Sequence, residues 1–94
     1  MRIVWDEAKN RANLLKHGVS FETAQLVFGD PFHVSVPDRH EHGEERWTTV
    51  GIAGSVVILV VVHTYGEVNG EEIIRIISAR KATSGERTRY QDEC

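Results

Sequence analysis

The stretch "VVILVVVHT", residues 56–64, opens with seven apolar residues in a row and limits the fold more than any other feature of the chain. It is far short of the roughly 20 apolar residues that a membrane-crossing helix needs. Its valines and isoleucine are stiff at χ1 and suit strands. Polar residues do not alternate with apolar ones, so both faces need cover, and the stretch reads as the central strand of a sheet. Asn69-Gly70 is a hairpin signal, because both positions tolerate the positive φ of a tight turn, and "EEIIRIISA" then returns as a neighbouring strand. Upstream, "RWTTVGIA" enters through the turn Gly54-Ser55. An antiparallel meander follows.

Helical spacing precedes the meander. "RIVW" reads as a short first strand, after which Asp6 can cap "DEAKNRANLLKHG", a helix that Gly18 ends. Ala8, Ala12 and Leu15 form its expected apolar stripe, while Lys9, Asn13, Lys16 and His17 fall on a different face. Ser20 begins a second helix, "SFETAQLVF", with Phe21, Ala24, Val27 and Phe28 inward and Leu26 beside them. "GDP" closes it, "FHVSV" is a short strand, and residues 37–44 read as a polar loop. The tail, residues 83–93, could form a helix begun at Thr83 or Ser84. The expected class is α+β: an antiparallel sheet of four to five strands in the order β-α-α-β-β-β-β, with two N-terminal helices on one face and a possible C-terminal helix. The other face is expected to be partly open.

Ninety-four residues suit a single domain spanning 1–94, since a chain of this size hides roughly 60–70% of its unfolded surface. Cys94 is the one cysteine, which rules out an internal disulfide and a four-cysteine zinc site and suits a reducing cytoplasm. Asp6 and Glu7 interrupt the start before any apolar stretch develops, which argues against a secretory leader. Phosphate loops, GxSxG elbows and HExxH signatures are absent from the sequence, so NTPase, serine-hydrolase and zinc-protease chemistry is not expected. Among five histidines, His33, His40 and His42 lie near Asp38, but the expected loop offers no helical ligand pair, and no metal or other cofactor is assigned.

The net charge of −3 conceals a pattern. Residues 1–17 hold four Lys or Arg against two acids, residues 18–72 two against nine, and residues 73–94 five against three. Both ends are basic. If the fold joins them, a cationic patch can sit on an acidic protein. In the last strand, alternation puts Ile74, Ile76, Ser78 and Arg80 on one side and Ile73, Arg75, Ile77 and Ala79 on the other. A cation among isoleucines must pair, reach solvent or face an anion, so Arg75 is expected either to bridge to Glu44, Glu45 or Glu72 or to hold a phosphate. Arg46, Arg80 and Lys81 complete a candidate phosphate-binding set. His63, alone among histidines on the central strand, reads as a satisfied core-edge residue or, if the chain carries a general base, as the candidate for it.

"WDEAKNRANLLKHGVSFETAQLVFGD", "EERWTTVG", "RIISARKA" and "ERTRY" together resemble the BrnT toxins of bacterial type II toxin–antitoxin systems, over nearly all of the chain. The resemblance implies a RelE-like fold, ribonuclease activity that blocks translation, and a hetero-oligomer with a BrnA-like antitoxin, through which alone operator DNA would be met. Metal-independent cleavage needs only an oriented 2′-hydroxyl, a proton acceptor and cations on the phosphate. Arg46, Arg75 and Arg80 are the expected phosphate stabilisers, His63 or Tyr90 the proton-transfer groups, and Lys9, Lys16, His17, Lys81 and Arg87 the guides for the RNA strand. Two other readings stand beside this: an antitoxin-binding module with little or no catalysis, whose acidic middle would attract a basic antitoxin segment, and a metal-dependent nuclease built on the histidine loop.

Overall fold

The computed structural model describes residues 1–41, 43–54 and 57–93, without the side chains of 39–41 and 93. Its five strands are β1 (Arg2–Val4), β2 (Val34–Glu41), β3 (Glu44–Ala53), β4 (Val57–Val68) and β5 (Glu71–Lys81), arranged side by side as β1-β5-β4-β3-β2. The apolar run does form the central strand. Ile58, Leu59, Val60 and Val61 of β4 are all buried, alternating between two cores. Asn69 (φ 53°) and Gly70 (φ 82°) make the two-residue turn into β5, as their left-handed conformations require.

The sheet is mixed, not wholly antiparallel as expected. β1 runs parallel to β5, with Ile3 opposite Ile74, while the other three pairings are antiparallel. Strand direction leaves no mark on a three-residue apolar segment. The stretch expected as a loop over 37–44 is also corrected: β2 continues to Glu41 and β3 starts at Glu44, with an irregularity between Pro37 and His40. Proline there is compatible with strand because β2 is an edge. Ser55 of the expected turn Gly54-Ser55 and His42 of the expected loop lie outside the described residues.

One face of the sheet carries α1 (Glu7–His17) and α2 (Phe21–Ala24), the latter continued by a 3₁₀ turn, Gln25–Gly29. Asp6 caps α1 by accepting the Lys9 N–H, and Ser20 caps α2 by accepting that of Thr23. Phe21, Ala24 and Val27 are fully buried against Leu59, Val61, Ile76 and Ala79, with Trp5 edge-on to Phe21. Close approach of the 3₁₀ turn depends on Gly51, where an added Cβ would lie 3.1–3.2 Å from His33 and Val27.

Helix α1 reverses its expected orientation. Ala8, Ala12 and Leu15 are exposed, Leu15 by 89%, and the inward residues are Asn10 and Asn13. The reason is the shortness of β1, which pairs β5 only over residues 73–75. Further along, Asn13 acts in place of a strand: it donates to the Ala79 carbonyl (2.8 Å) and accepts from the Ala79 N–H (3.1 Å). Asn10 likewise accepts from the Phe21 N–H and donates to Glu7 and Glu22, so both buried amides are satisfied.

The second face is capped at one end by α3 (Ser84–Glu93), whose Tyr90 packs, with Ala82 just before the helix, against Val50, Ile52, Ile58 and Val60. "TSGE" forms a capping box: Thr83 Oγ1 accepts the Glu86 N–H and Glu86 accepts the Thr83 N–H. The rest of that face carries no helix among the described residues. No helix there is long and apolar enough to cross a membrane.

Candidate active site

The exposed end of the second face is set by an irregularity in β5. Val62 pairs with Ser78 but His63 pairs with Ile76, so Ile77 is an extra residue and side chains change sides at that point. Regular alternation would separate Arg75 from Arg80. With the bulge, Arg75 stands opposite Thr64 and Arg80 opposite Val60, both on the face away from α1 and α2. Ser78 lies between them opposite Val62, and Lys81 instead pairs with Leu59 at the helix-covered edge, where it is exposed. Arg46 shares the face from β3, since Thr48 pairs with Val62 two residues on. Arginines from β3 and β5 thus flank the central strand.

Both β5 guanidinium groups hold carboxylates. Arg75 reaches across β4 to Glu44, with Nη2 2.6 Å from Oε1, the first of the three partners expected from sequence. That hydrogen bond, outweighing the opposing effect of burial, and then the charges of Arg75, Arg46 and Lys9, hold the Glu44 carboxyl below the usual range. Arg80 makes a two-pronged bridge to Glu86 at 2.7 and 2.9 Å. Bonding to Arg80, then to the Thr83 N–H, lowers Glu86 to about 2, and Glu86 in turn raises Arg80. A groove of about 240 Å³ adjoins this bridge, between α3 and the β2–β3 edge, lined by Val34, Val36, Val50 and Tyr90 with Glu86 and Arg89 on its wall.

Of the two proton-transfer groups expected from sequence, His63 lies on the opposite face, and Tyr90 lines the groove with its hydroxyl committed to Asp30. His63 has no exposed surface and sits on the helix-covered face, edge-on to both Phe28 and Tyr65. Its Nε2 is 2.6 Å from Thr49 Oγ1, itself 2.6 Å from Ser35 Oγ, and Nδ1 faces the Thr64 carbonyl. Burial pushes its pKa down to about 4, so at neutral pH it is an uncharged core group. The expectation of a general base is corrected on that ground: solvent does not reach the ring. Tyr90 is 5% exposed and donates its hydroxyl to Asp30. Asp30 also accepts the N–H groups of Ile52 and Phe32. Burial pushes that carboxyl up, but the donors at Ile52, Tyr90 and Phe32, with His33 nearby, outweigh it and leave it lowered. Tyr90 thereby pins α3 to the loop after the 3₁₀ turn.

The proposed strand guides are dispersed. Lys9 is the α1 cation within electrostatic reach of Glu44. Lys16 and His17 occupy the last turn of α1, where the helix dipole favours cations, and no contact joins them to the Arg75 cluster among the described residues. Arg87 donates to the Ala82 carbonyl at the start of α3. Of the histidine loop, His42 and the His40 side chain lie outside what is described, and the described residues contain no group of three potential metal ligands. Glu86 is the partner that sequence reasoning missed, although "TSGE" carries the capping-box signature that places it.

Among curated proteins, none matches the chain. A family model described as "Ribonuclease toxin, BrnT, of type II toxin-antitoxin system" matches residues 5–86. Among solved structures, the ribonuclease toxin BrnT of Brucella abortus, a crystal structure at 1.1 Å, is similar at 26% identity and a TM-score of 0.68, over 89% of this chain and 99% of that one. The family match takes in both helices of the first face, strands β2 to β5 and the capping box, so the chain belongs to the BrnT family of ribonuclease toxins from type II toxin–antitoxin systems.

Proposed function

We propose that this chain, acting as one domain in the cytoplasm, cleaves RNA by attack of a 2′-hydroxyl on the adjacent phosphate, with no metal ion, and so inhibits translation. The observation that carries this reading is the bulge-dependent placement of Arg75 and Arg80 on the same exposed face as Arg46. Arginine holds phosphate oxygens with up to five donors, and charge building on those oxygens is what the transition state most needs met. Arg75 commits one nitrogen to Glu44 and keeps other N–H groups for an anion. A hetero-oligomer with a BrnA-like antitoxin neutralises it, and DNA is met only through that partner. Purified protein is expected to cut single-stranded RNA in EDTA and to arrest growth when expressed without antitoxin. Loss of cutting in EDTA would overturn the metal-free mechanism.

One observation favours a second reading. Arg75 and Arg80 are each already bonded to a carboxylate, as expected of a module that holds its antitoxin and has little chemistry of its own. Expression of the folded chain alone decides: harmless expression favours the module, growth arrest the nuclease.

A further inference from the structure

His63 is buried on the opposite face and the Tyr90 hydroxyl is committed to Asp30, which leaves the reaction without a proton acceptor among the expected groups. Among the described residues, the carboxylates bonded to Arg75 and Arg80 are Glu44 and Glu86. Glu86 is the more heavily committed: both oxygens bind Arg80 and one also accepts the Thr83 N–H. Glu44 differs, since its described hydrogen bond uses Oε1 alone and its side chain is 44% exposed. It sits at the start of β3, two residues before Arg46, on the stretch that faces β5 across Thr64.

We propose that Glu44 is the general base of RNA cleavage, an inference that rests on the ribonuclease reading above. Glu44 takes the proton of the 2′-hydroxyl as that oxygen bonds to phosphorus. The bond from phosphorus to the 5′-oxygen breaks, and the leaving oxygen gains a proton from water. The products are a 2′,3′-cyclic phosphate and a 5′-hydroxyl end, with no oxidant, reductant or metal consumed. Arg75 has two duties in this arrangement. One N–H group keeps the base ionised and aimed, and its remaining donors, with Arg46, hold the phosphate a few ångströms away. A carboxylate resting on a guanidinium is a weaker base than an isolated one, and the shared arginine offsets this by fixing base and phosphate relative to each other.

The test compares wild-type protein with Glu44→Gln and Glu44→Asp on a short fluorescent RNA in EDTA over a range of pH, alongside binding of the same strand carrying a 2′-deoxy sugar at the cut site. Glu44→Gln is expected to slow cleavage by about 10²–10⁴-fold. Its residual rate should rise about tenfold per pH unit, as hydroxide replaces the lost base, while the deoxy strand binds as tightly as before or tighter. Glu44→Asp should recover part of the rate. Unchanged or faster cleavage by folded Glu44→Gln would show that Glu44 only neutralises Arg75 and would overturn this inference alone. A folded wild-type protein that leaves RNA intact would overturn the ribonuclease reading and this inference with it.

Discussion

On the helix-covered face of the sheet, Ser35, Thr49 and His63 are bonded in a row with Phe28 closing over the ring; on the opposite face, Arg75 and Arg80 are bonded to Glu44 and Glu86 with solvent beside them. Both sets are hydrogen-bonded polar groups on the same strands or their neighbours. Their surroundings separate them. Burial drives His63 to its neutral form, whereas the carboxylates of the other face are held in their charged form by guanidinium donors. A polar network that must stay dry holds the fold, and one that can exchange partners with an incoming anion is available for binding. The residue type does not decide which is which, and a histidine on a central strand is here the less reactive group.

Each face can be perturbed separately. Phe21→Ala, at a fully buried position under the helices, should lower stability by about 3–5 kcal/mol in urea unfolding. Arg75→Gln should cut RNA cleavage by about 10²–10³-fold while leaving the thermal midpoint nearly unchanged, since the exposed pair it breaks contributes little to folding. If Arg75→Gln instead unfolds the protein, the contrast between the faces fails.

A pH series sharpens the comparison further. The folded-state pKa of His63 is depressed to about 4 from 6.5, so its contribution is fully present above 6.5 and is lost as pH falls toward 4, because the unfolded chain takes the proton more readily. Stability should fall by roughly 3 kcal/mol across that window. His63→Gln should flatten the slope yet retain cleavage; loss of cleavage in a folded His63→Gln protein would return the ring to the mechanism. Glu86 acts in a lower window. Its depressed pKa stabilises the fold above the ordinary glutamate range, and this is lost as pH falls through about 2. Glu86→Gln should therefore cost about 1 kcal/mol at neutral pH, after solvent screening, and reduce the acid sensitivity of α3 measured by circular dichroism.

Much of this was legible in the sequence, and the limits have physical causes. An unbroken apolar run, an Asn-Gly turn and side-chain caps at Asp6 and Ser20 act locally, and each appears where local chemistry places it. Helix α1 misleads because its inward residues are asparagines: the surface it meets is not an apolar face but the unpaired backbone of Ala79. Arg75 was legible as a cation needing an acid, and Glu44 was among the acids named. His63 reads from its strand both as a core-edge residue and as a base, and what decides between them, burial under Phe28, depends on a 3₁₀ turn that sits 35 or so positions upstream. The extra isoleucine at position 77 is flanked by residues equally at home on either side, so nothing near it in sequence announces a change of side.

That isoleucine has a genetic corollary. Excising codon 77 would keep the reading frame and every catalytic candidate, yet turn the N-terminal half of β5 over relative to the rest. Ile74 and Ile76 would rotate outward and the Arg75 side chain inward, toward the aromatic rings that now surround His63. A three-nucleotide deletion there should disarm the toxin more thoroughly than most changes to its charged residues, and drift in such a family should favour substitutions along this strand over any change in its length.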